Sequence, residues 1–365
     1  MKIFYSITKS EIGGAQTYLW SLLKRAKENN DEVVVMSYPG GWLEDKVKEL
    51  GFEFIPNIYY KNSYNPFNLL KAIFLTRKEI KKFNPDMLHL NSGGAGFFGR
   101  LANVGLRSKV VFTAHGWSFT DGTPLFRRII ALIAENLITP FTDKIICVSE
   151  NDARLAKNKL IFSTSKIEVI HNGVEIKTQT ANQENINKIK ILFVGRLERP
   201  KMPVVILRSL MRLTDEERKF FNVSIIGFGS QEKLLLDFIN KNDLINLVTI
   251  RKVNFEAVYE ECLSSNLFIL PTEWEGFPMT IIGAMSAGLP VLASNVGGIK
   301  EVVDSSVGKL LSKGNDELEI VQVLRNILLD KKWLSVCGQN ARKRILDNFS
   351  EEEMCNKVWK IYEQV

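Results

Sequence analysis

Short apolar runs alternate with segments of helical period along the whole chain. In the first half they are KIFYSI, EVVVMSY, FEFIPNI, DMLHLN, KVVFTAHG and KIICVS; in the second, IKILFVGRL, NVSIIGFG, LVTIRKV, LFILPT and PVLAS. Continuous runs without polar alternation suit strands buried on both faces, and strands separated by helices pair in parallel. The pattern predicts an α/β chain with two doubly wound, Rossmann-like domains. The polar, aromatic-free EIKTQTANQENINK predicts a linker over 176–188, between a domain of 1–175 and one of 189–349. A chain of 365 residues is long for one core and suits two. SEEEM opens a last helix, 350–364, whose Trp359 and Tyr362 need a surface; the first domain is where it is expected to pack. Ligands of such sheets bind at the C-terminal strand ends, so a cleft between facing domains is the expected site.

The stretch from Glu273 to Glu301, EWEGFPMTIIGAMSAGLPVLASNVGGIKE, carries no charge between Pro278 and Ile299. It is long enough to span a bilayer, which takes roughly twenty apolar residues. Gly283, Gly288, Pro290, Gly297 and Gly298 break it, however, and the pattern reads as turn, helix from near Pro278, turn and buried strand. Glu275 then stands at the mouth of a helix whose N-terminus favours an anion.

Charge separates the two halves. Residues 1–180 hold 24 Lys and Arg against 17 Asp and Glu, a net charge of +7, while 181–365 hold 24 of each. A basic first half points to an anionic partner. Its densest part is NLLKAIFLTRKEIKKF, 68–83. There Leu70, Ile73, Phe74, Ile80 and Phe83 recur at helical spacing, and Lys71, Lys78, Lys81 and Lys82 take the remaining surface. Two readings stay open: a solvated helix packed on its own domain, or contact of 69–83 with an anionic membrane. Nucleic acid is not expected, because no zinc-finger, RNP or helix-turn-helix signature accompanies the charge. Cys147, Cys262, Cys337 and Cys355 have no metal-ligand spacing and read as free thiols. MKIFYSITKS holds too short an apolar run for a signal peptide, so a cytoplasmic chain is expected, at or near the inner membrane face.

Four motifs carry candidate chemistry. SEIGGAQTYLW places Gly13 and Gly14 between a strand and a helix, where backbone N–H groups can approach a phosphate; an ordinary turn is the other reading. In VGRLERPKMP, Arg196 and Lys201 leave a buried strand five residues apart, a spacing that can clamp a diphosphate, with Arg199 a solvated neighbour. FTAHGW puts His115 at a strand end, either as a structural histidine or as a site residue. VIHNGV, with His171, Asn172 and Gly173 at a strand end just before the linker, reads as a structural turn. No complete G-x-G-x-x-G is present, which argues against a nicotinamide cofactor.

Together GGAQ, AHGW, VSE at 148–150, HNGV, GR-x4-K at 195–201 and EGFP…AMSAGLPVLAS resemble, in order and over nearly the whole chain, the retaining glycosyltransferases of family 4. The resemblance implies the GT-B fold, with an acceptor bound to the first domain and a nucleotide-sugar, of UDP type, to the second. It implies roles for His115 beside the donor sugar, Arg196 and Lys201 at the diphosphate, and Glu275 at the sugar hydroxyls. It adds Gly14, Gly195, Arg251, Gly276, Phe277, Pro278, Met279, Thr280 and Gly283 to the donor site, and Gly13, Ala15 and Gln16 to the acceptor side. No Asp-x-Asp is present, so the implied transferase uses no metal or other cofactor. Its acceptor would be a glycan or lipid diphosphate in surface-polysaccharide synthesis.

One position departs from the family's pattern. The second glutamate expected eight residues after Glu275, which holds the nucleotide ribose in the family, is Gly283 here. Met202 and Phe228 depart less. Gly283 motivates an alternative, a catalytically weak or silent member that binds another transferase. Retention of His115, Arg196, Lys201 and Glu275 speaks against it.

Overall fold

The computed structural model describes residues 1–61, 65–120, 122–161, 165–184, 186–312 and 316–365. It contains two compact units: unit 1, Met1–Asn172 with Glu351–Val365, and unit 2, Gly173–Ser350. Unit 1 holds β1 (Lys2–Ile7), β2 (Glu32–Ser37), β3 (Glu53–Pro56), β4 (Met87–Asn91), β5 (Lys109–Ala114), β6 (Lys144–Cys147) and β7 (Ile167–Val169). They form one sheet in the order β3-β2-β1-β4-β5-β6-β7, every pair parallel. Unit 2 holds β8 (Ile189–Val194), β9 (Phe221–Ile226), β10 (Val248–Arg251), β11 (Leu267–Leu270), β12 (Val291–Ser294) and β13 (Gly308–Leu311). Their order, again all parallel, is β10-β9-β8-β11-β12-β13.

Every apolar run named above forms a strand. Two strands lie outside those runs: β7, marked only as the strand end before HNGV, and β13. Both are short and lie at a sheet edge, where part of the strand stays accessible and the apolar run is correspondingly weak. In each sheet the chain winds outward from a central strand and then returns to its other side. The reversal falls between β1 and β4 in unit 1 and between β8 and β11 in unit 2. These are the topological switch points, where the loops leaving the strands diverge and open a crevice.

Alternation along β1 divides the core of unit 1 into two layers. Ile3, Tyr5 and Ile7 meet Tyr18 and Leu22 of the Gly14–Glu28 helix and Val358 of the Glu351–Gln364 helix. Phe4 faces the opposite layer with Leu88, Phe98 and Phe112. The C-terminal helix also carries a polar anchor. Tyr362 hydroxyl lies 2.5 Å from His89 Nδ1 and 3.2 Å from Tyr5 hydroxyl, and His89 Nε2 lies 2.7 Å from Thr113 Oγ1. All four groups are buried. Burial, with the nearby His115, pushes His89 down to about 3, so it is neutral at ordinary pH.

The 176–188 stretch, expected as a linker, is hydrogen-bonded along unit 2. Ala181 N–H donates to Ala287 carbonyl at 2.8 Å, and Lys331 Nζ donates to Ile186 carbonyl at 2.6 Å. The Glu273–Glu301 stretch is a helix, Met279–Ser286, followed by β12. No helix among the described residues is long and apolar enough to cross a membrane. The four cysteines are buried and unbridged.

The basic helix, Pro66–Phe83, divides its faces differently from the sequence expectation. Ala72, Thr76 and Ile80 are buried, with Ile73 and Phe83 partly so, whereas Leu70 and Phe74 face solvent with Phe67. Leu70, Phe74, Lys71 and Lys78 therefore share one outward stripe. Periodicity alone allowed Leu70 and Phe74 to count as core, because an apolar residue at the margin of a helical face can turn either way. Asn57 and Tyr60 below the helix take Thr76 as a polar core partner, which a hydrophobic pattern does not register.

Candidate active site

The switch point of unit 2 gathers most of the candidate residues. Gly195 and Arg196 follow β8, and Thr272 to Glu275 follow β11, its neighbour in the sheet. The two loops are stitched together in antiparallel fashion. Lys201 pairs with Thr272, Met202 N–H donates to Pro271 carbonyl, and Glu273 N–H donates to Pro200 carbonyl, both at 3.0 Å. This link brings Lys201 Nζ onto the Glu275 carboxylate, across 74 residues of chain. Thr272 Oγ1 donates to the same carboxylate oxygen at 3.2 Å. Both members of the ion pair are largely shielded, with side chains 15% and 14% exposed. Arg196 is 60% exposed and its Nη1 rests 2.7 Å from Glu198 Oε1. Arg199, expected to be a bystander, pairs with Glu273 and lies over the Trp274 ring.

Two glycines explain how the backbones come so close. Gly297 has φ +54, and a Cβ there would stand 1.8 Å from Glu275 carbonyl oxygen. Next to it Gly298 N–H donates to Gly276 carbonyl at 2.9 Å, so the loop after β12 clamps the Glu275–Gly276 backbone. On the other side, a Cβ on Gly227 would stand 1.9 Å from Gly195 carbonyl oxygen. The glycines of GFG and VGG thus support the loop that carries Arg196 and the turn that carries Glu275.

The Met279–Ser286 helix begins directly after this turn, with Pro278 as its N-cap and no acidic residue in its first turn. Its positive end is therefore uncompensated by its own side chains. Ile281, Ile282, Ala284, Met285 and Ser286 are all buried, which leaves Met279, Thr280 and Gly283 as the accessible stripe. Gly283 lies one turn on from Met279, and nothing stands within 4 Å of where its Cβ would be. Arg251 is not brought into this cluster. It ends edge strand β10, and its guanidinium is held by Glu261 at 2.8 Å and Ser224 at 3.3 Å.

The remaining candidates lie in unit 1, Gly13 to Gln16 after β1 at its switch point and His115 after β5, one strand beyond β4. Gly13 caps the Gly14–Glu28 helix in an extended conformation, and Ala15 and Gln16 sit in its first turn. Gln16 Nε2 donates to Lys9 carbonyl at 2.8 Å, so its amide braces the loop before the helix. His115 follows β5, with its Nε2 3.1 Å from Asn91 Oδ1 and its ring edge-on to Tyr18 at 4.8 Å. With this amide orientation the proton sits on Nε2 and Nδ1 keeps its lone pair. Burial pushes His115 down to about 3, so it acts as a neutral hydrogen-bonding group.

Sequence reasoning missed Asn91, whose Nδ2 is buried without a hydrogen-bond partner, and Ser92, held at φ +86 and bonded to Thr8. A signal was present: LNSGGAG repeats the strand, Gly-Gly, helix arrangement of EIGGAQ. It also missed Glu198 and Thr272, whose roles depend on loops meeting across the sheet. Among the described residues, no three His, Cys, Asp or Glu side chains form a cluster able to hold a metal.

Residues 12–178 match the family model of Glycosyltransferase Family 4, and residues 175–344 match that of Glycosyl transferases group 1. The O-antigen biosynthesis glycosyltransferase WbnH of Escherichia coli is 30% identical over 315 residues, covering 86% of this chain and 87% of that protein. An E. coli UDP-Gal:alpha-D-GlcNAc-diphosphoundecaprenol alpha-1,3-galactosyltransferase is 26% identical over 334 residues, covering 88% and 85%. Among solved structures, Anabaena Alr3699/HepE in complex with UDP-glucose matches with a TM-score of 0.84 at 18% identity, each chain covered in full. The fold shared with it is GT-B, two Rossmann-like units.

Proposed function

Because the chain belongs to the group 1 and family 4 glycosyltransferases, we propose that it moves a sugar from a UDP-sugar to a lipid-diphosphate-linked acceptor, with retention and without a metal. The observation that carries this reading is the unit 2 switch point. Two cations, a carboxylate and an uncompensated helix N-terminus meet there in a place where α/β sheets bind ligands. A nucleoside diphosphate needs the cations and the helix end; a sugar needs the carboxylate. The enzyme serves O-antigen or related polysaccharide synthesis, the process for which two E. coli relatives are named.

In this mechanism the anomeric C–O bond breaks and the departing UDP takes its electron pair. Arg196 and Lys201 offset the charge that grows on the β-phosphate, the office a metal often fills, while Met279 and Thr280 N–H groups face the same anion. Glu275 leaves Lys201 to accept from sugar hydroxyls. The acceptor hydroxyl attacks from the face the phosphate leaves, and the phosphate oxygen takes its proton, so no separate strong base is needed. His115, neutral, offers hydrogen bonds to a sugar, and Gly13, Ala15 and Gln16 line the acceptor side of unit 1. The basic stripe of 69–83 draws the protein to the anionic cytoplasmic face of the membrane, where such acceptors reside.

Incubation with a panel of nucleotide-sugars and a polyprenyl-diphosphate sugar, followed by mass spectrometry, tests the reading. A glycosylated lipid from a UDP-sugar, with the donor's anomeric configuration by NMR and undiminished by EDTA, is expected. No product from any pair would overturn the transferase assignment. An inverted anomer would overturn retention, and EDTA loss reversed by manganese would overturn the metal-free mechanism.

A further inference from the structure

The Leu125–Ile138 helix, LFRRIIALIAENLI, turns an apolar face outward. Leu125, Phe126, Ile129, Ile130, Ile133 and Leu137 are between 49% and 75% exposed. At about 100° per residue they fall within one arc of roughly 140° that holds no charge; its one polar residue, Asn136, is part-buried and donates through Nδ2 to Leu132 carbonyl at 2.9 Å. Soluble surfaces rarely leave so contiguous an apolar stripe uncovered. Arg127 and Arg128 lie on either side of the arc. The helix's one acid, Glu135, is turned inward to Arg100, 3.1 Å away, and buried with it. From Gly122 to Thr142 the surface therefore presents apolar and cationic groups with no exposed carboxylate.

A second basic and apolar stripe lies on the same side of the sheet. Arg100 ties the Leu125–Ile138 helix to the Gly93–Asn103 helix, and Arg77 Nη1 donates to Ala102 carbonyl at 2.7 Å, tying that helix to Pro66–Phe83. On Pro66–Phe83 the outward residues are Phe67, Leu70 and Phe74, interleaved with Lys71 and Lys78. From Phe54 to Ala134 the sequence holds 11 Lys and Arg against three acids.

We propose that the Leu125–Ile138 helix is the element that seats this protein on an anionic lipid bilayer. It lies in the interfacial plane with its apolar arc among the acyl chains and Arg127 and Arg128 at the headgroups. The lysines of Pro66–Phe83 supply further attraction. An interfacial helix needs an apolar face, cationic flanks and no exposed acid, and this helix has all three. At 14 residues, about 21 Å, it lies on the membrane and does not cross it. A second copy fits the face less well. Its cationic flanks would meet a copy of the same helix, which exposes no carboxylate to answer them. The inference rests on the proposed approach to an anionic membrane and names the element that makes it; its test uses neither donor nor acceptor, so its failure leaves the transferase reading standing.

Co-sedimentation of the full chain with phosphatidylcholine vesicles containing phosphatidylglycerol is the test, with phosphatidylcholine alone for comparison. Phe126→Ser with Ile133→Ser should weaken binding at least about ten-fold. Arg127→Glu should weaken it on the anionic vesicles alone, by an amount that shrinks as salt rises. Leu137→Asn provides an independent apolar variant should the double variant melt below wild type. Wild type that fails to sediment with anionic vesicles, or apolar variants that bind as wild type does, would overturn the proposal. So would a dimer that these substitutions turn to monomer while vesicle affinity stays unchanged.

Discussion

Replacing Gly283 by glutamate tests whether the accessible stripe of the Met279–Ser286 helix faces the nucleotide ribose. Gly283 sits on that stripe between Met279 and Thr280 as viewed down the axis, and a Cβ at this position would have nothing within 4 Å of it. The side chain therefore enters open space on helical backbone. Exchanging glycine for glutamate within a helix should gain several tenths of a kcal/mol, and Tm should hold or rise by about 1–2 °C. A carboxylate accepting from a ribose hydroxyl forms a charge-assisted hydrogen bond worth about 1.5–3 kcal/mol. At about 1.4 kcal/mol per decade, UDP should bind roughly ten- to a hundred-fold more tightly. Calorimetric titration of wild type and Gly283→Glu with UDP reads this directly, and a melt of each confirms that the fold is kept. An affinity unchanged within error, in a variant that melts normally, would show that Gly283 does not face the ribose. Weaker binding would show that another group already occupies the place.

Arg196→Ala and Lys201→Ala should each lower turnover roughly 10²-fold at saturating donor, since each removes a charge that offsets the leaving diphosphate; full turnover in both would refute that role. Glu198→Gln frees Arg196 from an exposed pair worth about 0–1 kcal/mol, so UDP should bind up to about five-fold more tightly. Weaker binding by titration would mean that Glu198 positions Arg196 instead of restraining it. His89 and His115 are both held down to about 3, below the usual 6.5. Above pH 6.5 both states are neutral; below it the unfolded chain takes up protons that the folded chain refuses. Stability should thus fall as pH drops from 6.5 towards 3, by about 1.4 kcal/mol per pH unit for each histidine. Urea unfolding at pH 7.5, 6.0 and 5.0 should show this, more shallowly in His89→Asn, and a wild-type stability flat across that range would contradict it.

What the sequence determined by itself was local. Buried parallel strands appear as continuous apolar runs, which is why KIFYSI, DMLHLN, ILFV and LFIL announce their strands, while edge strands β7 and β13, half wet, do not. Close backbone approach needs glycine, so GG, GR and EGFP mark turns where a phosphate or sugar can come near. Tertiary structure decided which of these meet. Lys201 finds Glu275, and His89 finds Tyr362 across 273 residues, only because the strands between them take their places in a sheet. It also decided which side of each helix is covered. Leu70, Phe74 and the whole Leu125–Ile138 arc have the period of a core face, yet they point outward. An amphipathic pattern states that a helix has an apolar side; only the neighbours present in the fold state what, if anything, covers it.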